Sequence, residues 1–281
     1  MRAVAFESAA GFLSRAEPIL RGDEARTSLM YGIVRRLAEG GRYGDEPPVL
    51  VCVLAGEEIV ALATRTPPYH LIIHAVDLGR DAIPTLVEFL RRRDPDLPGV
   101  HAEKEIARQF AEAWTEGHGR NHHVSMEQRL YRLDEVAAVP ASPGEFRLAA
   151  PADRDLLAAW VCSFITEATP GDSHPDPLAF VDRHIEAGTL GVWDHGGPRT
   201  MAAITRGTPR GVAVSLVFTP PESRRQGYAS SCVAALSQRQ LDAGKSFCTL
   251  FTDLSNPTSN AIYQRIGYRP LADITRIDFA S

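Results

Sequence analysis

At 281 residues, 44% hydrophobic and 23% charged, the chain has the composition of a globular protein of one large or two ordinary domains. Its net charge of −5 and pI near 6.0 argue against a nucleic-acid partner, because no basic stripe exists beyond Arg91-Arg92-Arg93 and one arginine-bearing turn. No apolar run approaches membrane-spanning length, and Glu7 interrupts the N-terminus before a signal-peptide core forms, so no membrane partner is expected.

The first forty residues read as helical, with apolar residues at mixed spacings of three and four over Ala3–Arg15 and Glu24–Ala38. A Gly/Pro-rich loop runs from Gly40 to Pro48. Val49–Leu54 and Ile59–Thr64 flank the turn Ala55-Gly56-Glu57-Glu58 and predict a hairpin. Tyr69–Val76 reads as a third strand. Ala82–Arg93 is a helix with Pro84 in its first turn and the arginine run at its C-terminus, where cations suit the dipole. Leu97–Val100 is short and extended, Ala102–Trp114 is helical, and Val124–Leu133 is a strand with Met126, Gln128 and Leu130 on one face. Val139–Gly144 is a Pro/Ser/Gly linker. Beyond it come a strand at Arg147–Ala149, helices at Pro151–Phe164 and Pro177–Ala187, and strands at Leu190–Trp193 and Met201–Thr205.

The four cysteines, Cys52, Cys162, Cys232 and Cys248, sit far apart in apolar patterns without CxxC or Cys/His spacing. A disulfide framework or metal site is therefore not expected; buried, reduced thiols fit a cytoplasmic protein.

The most informative stretch is Val214–Ala229. Val214, Leu216 and Phe218 alternate with Ser215, Val217 and Thr219 as a strand that Pro220-Pro221 ends. Arg224-Arg225-Gln226-Gly227-Tyr228-Ala229 follows, and a helix over Ser230–Ala243 opens at once. The first N–H groups of a helix lack internal partners and its dipole favours an anion, so a tight Arg/Gly turn there forms a phosphate cradle in principle. Further on, Phe247–Thr252 is an apolar strand. Asn256-Pro257 then opens a helix over Thr258–Ile266, with Asn256 as cap and Pro257 at the first helical position, and Gly267 ends it.

Arg224, Gly227 and Ala229 resemble motif A of the GNAT acetyltransferases (Arg or Gln, two residues, Gly, one residue, Gly or Ala). The run from Asn256 to Tyr268 resembles motif B of the same family. The resemblance covers about half the chain, from roughly Gly144 to the end. It implies an acetyl-CoA-dependent N-acetyltransferase. Leu216, Val217, Phe218 and Thr219 would offer free backbone groups to the pantetheine arm. The backbone of Arg225, Gln226, Gly227, Tyr228, Ala229 and Ser230, with the Arg224 and Arg225 side chains, would hold the phosphates. Tyr228 reads as packing or adenine contact. Asn256 and Asn260 would contact the pantetheine or frame the motif B turn. Tyr263 would be the general acid that protonates the departing thiolate. From reference values of about 10 for a phenol and about 8.5 for a thiol, complete transfer is uphill by ~2 kcal/mol.

The element order before the linker matches the order after it, so the expected fold is α/β (α+β): two tandem GNAT-like domains, each a mixed, mostly antiparallel sheet flanked by helices. The expected division is residues 1–139 and 144–281. After the first half's third strand comes Val76-Asp77-Leu78-Gly79-Arg80-Asp81, without the motif A pattern; Asp77 and Asp81 would repel a pyrophosphate, so this half reads as a degenerate copy that does not hold CoA. The general base is not identified. Glu167, Asp172, His174 and Asp176 are candidates in an acidic loop suited to a cationic amine, and His122, His123 and His195 carry no assigned role. The acceptor is a small-molecule or protein amine, a homodimer stays open, and the alternative function is a catalytically silent CoA-binding or interaction protein. P-loop and Rossmann fingerprints are absent.

Overall fold

A computed structural model describes residues 1–77, 81–117, 119–168 and 176–280. The chain divides into two compact units that are not contiguous in sequence: residues 1–130, 252–256 and 270–281 form the first, and residues 131–251 and 257–269 form the second.

In the first unit, β1 (Arg2–Ala5), β2 (Val49–Ala55), β3 (Glu58–Arg65), β4 (Leu71–Ala75) and β5 (Gly99–Glu103) lie side by side in that order. The last strand of the chain, β12 (Arg269–Ala280), pairs antiparallel with β5 from Ile274↔Glu103 to Asp278↔Gly99, and β6 (Asn121–Leu133) follows it. Helices α1 (Ala9–Gly22) and α2 (Ser28–Ala38) cover one face, and α3 (Ala82–Arg93) and α4 (Lys104–Thr115) the other. The continuous apolar run of β2 has this cause. Leu50, Cys52 and Leu54 point into the α1–α2 core, while Val51 and Val53 point into the α3–α4 core. A strand buried on both faces needs apolar residues at every position rather than alternation.

The predicted helix over Ala3–Arg15 is corrected at its start. Arg2–Ala5 pair with Leu54–Val51 as an antiparallel strand, and Ser8 caps α1 by accepting from the Gly11 N–H at 3.1 Å. The helical spacing is real only from Ala9 onward. The second predicted helix likewise begins at Ser28, and Ala102 and Glu103 belong to β5 rather than to the helix after it.

The second unit repeats the plan with β7 (Glu145–Leu148), α5 (Arg154–Ala168), α6 (Pro177–Glu186), β8 (Leu190–Asp194), β9 (Pro198–Gly207), β10 (Gly211–Phe218), α7 (Tyr228–Asp242), β11 (Phe247–Asp253) and α8 (Pro257–Ile266). Its strand order is β11-β10-β9-β8-β7, extended beside β11 by Tyr131–Leu133, the tail of β6. Leu190, Val192, Met201, Ala203 and Phe218 pack under α5 and α6. Trp193, Ala202, Ile204, Val212 and Val214 pack under α7 and α8. No helix among the described residues is long and apolar enough to cross a membrane.

Three of the cysteines are buried, but Cys162 on α5 is exposed, which corrects its assignment to the core. The sequence around it is apolar on every side, so periodicity gives no indication of which face turns outward. Leu157, Ala158, Trp160 and Val161 take the inner face.

Candidate cofactor and active site

Each unit contains a short parallel strand pair. β4 and β5 pair over Leu71↔Val100, Ile72↔His101 and Ile73↔Ala102; β10 and β11 pair over Gly211↔Phe247, Val212↔Cys248 and Ala213↔Thr249. Beyond Ala213, β10 leaves β11. On its other side it pairs Ser215↔Ala203 and then Phe218↔Met201, so Leu216 and Val217 form a bulge opposite one residue of β9. Leu216 is left-handed at φ +51°, an unfavourable region for a branched side chain. The backbone of Leu216 and Val217 thus leaves the ladder just where β10 splays.

The strand runs into a short 3-10 turn at Pro221–Ser223 and then into the arginine turn. Arg225 has φ +62° and Gly227, the residue before α7, has φ +80°, while no side chain caps this helix. Left-handed residues in the turn before a helix turn backbone N–H groups toward the helix N-terminus, where the unpartnered N–H groups and the dipole favour an anion. A Cβ on Gly227 would stand 2.5 Å from the Ser142 hydroxyl oxygen, so position 227 is restricted by space as well as by φ. Ser142 staples the turn: its hydroxyl donates to the Gln226 carbonyl at 2.8 Å, and its N–H donates to the Ser231 hydroxyl at 2.9 Å. The sequence reads Ser142 only as part of a linker.

The two arginines differ. Arg224 donates from Nε to the Thr219 carbonyl at 2.8 Å and from Nη2 to the Glu167 carboxylate at 2.8 and 3.0 Å, with its guanidinium over the Phe218 ring. Arg225 is exposed and makes no ion pair among the described residues. Gln226 and Gly227 are exposed, and Ala229 and Ser230 are half-buried at the start of α7. Tyr228 is 4% exposed and its hydroxyl bonds His195 Nδ1 at 2.8 Å, so its ring belongs to the core and its backbone N–H alone faces the turn's end of the helix. Phe218 packs on Trp160, and the Thr219 hydroxyl pairs with that of Thr200 at 2.8 Å.

At the second motif, the Asn256 N–H donates to the Asp253 carbonyl at 3.1 Å directly before α8. Asn260 uses its side-chain oxygen to accept from the Tyr131 hydroxyl at 2.8 Å. Tyr263 is 8% exposed, between the rings of Tyr131 (6.5 Å) and Tyr268 (6.0 Å). Burial pushes its phenol well above the usual tyrosine value. Tyr268 is fully buried and shares a 2.8 Å hydrogen bond with Ser237.

Among the candidate bases, Glu167 is held by Arg224, and Asp176 caps α6 by accepting from the Leu178 N–H at 2.9 Å. Asp172 and His174 lie outside the described residues, as do Leu78–Arg80 of the first half. A cleft of about 470 Å³ belongs to the first unit, where the Gly40–Pro48 loop, Ala9, Leu37 and Thr66 line it; it contains none of the motif residues.

A doubly covered mixed sheet with a short parallel pair, a bulged central strand and an uncapped helix behind an arginine turn is the arrangement of the GNAT-type fold. The chain is a tandem GNAT-fold protein, and residues 189–277 match the family model described as FR47-like protein. It is similar over its whole length to an acetyltransferase of the GNAT family from Colwellia psychrerythraea (TM-score 0.62, 11% identity, 100% of each chain). It is also similar to a GCN5-related N-acetyltransferase from Sphaerobacter thermophilus (0.62, 16% identity, 99% of this chain and 95% of that one). A tandem GNAT protein from the clavulanic acid biosynthesis pathway matches with TM-score 0.56 at 14% identity, over 99% of this chain and 98% of that one. At these identities the likeness is one of fold. No curated protein matches the chain.

Proposed function

We propose that the chain is an acetyl-CoA-dependent N-acetyltransferase, with its cofactor site in the second unit and a primary amine of a small molecule or a protein as acceptor. The observation that carries this reading is the coincidence, on one strand–turn–helix unit, of the Leu216–Val217 bulge with the left-handed Arg225 and Gly227 ahead of the uncapped α7. Bound acetyl-CoA would supply an acyl group activated as a thioester. The turn N–H groups from Arg225 to Ser230 and the exposed Arg225 guanidinium suit its phosphates, and the bulged backbone suits an amide-bearing arm.

With acetyl-CoA bound, a neutral amine nitrogen would form the new bond to the acyl carbon and the carbon–sulfur bond would break. The proton lost by the amine would pass to solvent, because no base is identified, and the charge left on sulfur would need a hydrogen-bond donor. Tyr263 fills the role of donor. Because burial raises its phenol, complete transfer is costlier than the ~2 kcal/mol from reference values. Tyr263 therefore acts by hydrogen bonding to charge as it develops on sulfur. Asn256 remains the candidate for the pantetheine arm, and Asn260, engaged by Tyr131, frames the helix.

A second reading, a CoA-binding protein without turnover, draws support from the engagement of Glu167 and Asp176 in other contacts. Release of CoA thiol against a panel of primary amines, with wild type and Tyr263→Phe, separates the two. Amine-dependent release that falls at least tenfold in the variant supports the transferase. Binding of acetyl-CoA with no release on any amine supports the silent protein.

A further inference from the structure

Tyr131 is fully buried, and it is the first residue of the β6 tail that joins the second unit. Its hydroxyl donates to Asn260 Oδ1 at 2.8 Å and accepts from Gln264 Nε2 at 3.0 Å. Asn260 and Gln264 are one turn apart on α8, so a single hydroxyl grips the helix at two points on the same face. Tyr263 lies beside this grip, with its ring 6.5 Å from that of Tyr131 at an angle of 57°. The Tyr263 hydroxyl makes no protein hydrogen bond among the described residues, so the orientation of its ring rests on packing and on the rotation of α8 about its own axis. The latter is what Tyr131 fixes.

We propose that Tyr131 is a positioning residue for Tyr263: through its two hydrogen bonds to α8 it aims the Tyr263 hydroxyl at the cofactor sulfur. The inference rests on the reading of Tyr263 as the proton donor. It also assigns a role to a residue that precedes the linker and lies outside both sequence motifs. A half-satisfied network would be costly, because loss of the Tyr131 hydroxyl leaves the Asn260 oxygen and the Gln264 amide without this shared partner. The rotation of α8 would then lose this two-point anchor to the β6 tail.

The test uses the full chain and coenzyme A itself, and needs no acceptor. The ultraviolet absorbance of the thiolate gives the pKa of the bound CoA thiol, and a hydrogen bond from Tyr263 to the thiolate lowers it. The expected lowering, wild type against Tyr263→Phe, is about one pH unit. Tyr131→Phe is expected to lose about half of that lowering, with the CoA dissociation constant changed less than about threefold. In the Tyr263→Phe background, Tyr131→Phe is expected to change the thiol pKa not at all. A Tyr131→Phe protein with the wild-type thiol pKa would overturn the proposal, as would an equal shift in both backgrounds. Should Tyr131→Phe fail to fold, Gln264→Met, at an exposed position, removes one of the two bonds and is read by the same two outcomes. If Tyr263→Phe itself leaves the thiol pKa unchanged, the donor reading falls and the role of Tyr131 falls with it. That pattern differs from a Tyr263 effect without a Tyr131 effect.

Discussion

Gly227→Ala should destabilise the second unit by ~1.5–3 kcal/mol, in two separable parts. Holding an L residue at φ +80° costs ~1–2 kcal/mol. The new Cβ would also stand 2.5 Å from the Ser142 hydroxyl oxygen, so that hydroxyl must leave the Gln226 carbonyl it holds at 2.8 Å. The bond is exposed, which puts its loss at the low end, ~0.5–1 kcal/mol. Ser142→Ala removes the obstacle beforehand while leaving the bond from the Ser142 N–H to Ser231 intact. In that background Gly227→Ala should cost only the conformational part. Urea unfolding of the four proteins closes the cycle, and the double variant should be more stable than the sum of the singles implies by ~0.5–1 kcal/mol. Equal costs of Gly227→Ala in both backgrounds would refute the claim that Ser142 fills the space beneath the turn. A cost below ~0.5 kcal/mol would refute the left-handed conformation itself.

Acid should weaken the second unit through Arg147. Its guanidinium pairs with Asp153 at 2.6 Å and Asp194 at 2.8 Å; Arg147 holds the Asp153 carboxyl below its ordinary value, and the Gly197 N–H followed by Arg147 does so for Asp194. Because both carboxyls are depressed in the folded state, their contribution is complete above the ordinary carboxylate value near about pH 4 and is lost as pH falls through the lower folded values. Asp153→Asn should cost ~1–3 kcal/mol at neutral pH and flatten the acid limb of stability against pH; an unchanged limb counts against the pairing. Thiol reagents should modify one cysteine quickly, Cys162. Cys52, Cys232 and Cys248 are buried, and burial pushes Cys52 up to about 11 and Cys248 up to about 12. Fast labelling at any of these three would contradict the core assignment. Ile277→Ala on β12 should destabilise the first unit by ~2–4 kcal/mol, since Ile277 is 3% exposed in the core of that unit. A variant as stable as wild type would show that the C-terminal strand is not integral there. A chain begun at residue 144 lacks Tyr131–Leu133, of which Tyr131 and Leu133 lie in the second unit's core; it should lose cooperative unfolding, and a sharp native-like transition would refute that dependence.

Local features were legible in the sequence because their causes are local. The hairpin of β2 and β3, the proline stop after β10 and the glycine at the head of α7 each follow from a few adjacent residues. β1 was not legible: four residues have no period, and only pairing with Val51–Leu54 makes them a strand. Nor was the placement of β12 beside β5, a pairing of residues more than 170 positions apart that no periodicity encodes. The same distance effect governs the site. Backbone features of the turn follow from Gly227 and its neighbours, but the commitments of Arg224 to Glu167 and of Asn260 to Tyr131 depend on partners far along the chain. Residue type alone made both side chains look free for a ligand.

The central claim is that of two short parallel strand pairs, only the one followed by the arginine turn marks an acetyl-CoA site. Calorimetric titration of the full chain with acetyl-CoA, wild type beside Arg225→Glu, tests this most directly. Arg225 is exposed and unpaired among the described residues, so the substitution should leave the fold intact while opposing an anion at the turn. One site per chain, lost or weakened at least tenfold in Arg225→Glu at unchanged thermal stability, is the predicted result. Two sites per chain, no binding, or a titration that Arg225→Glu leaves unaltered would contradict it.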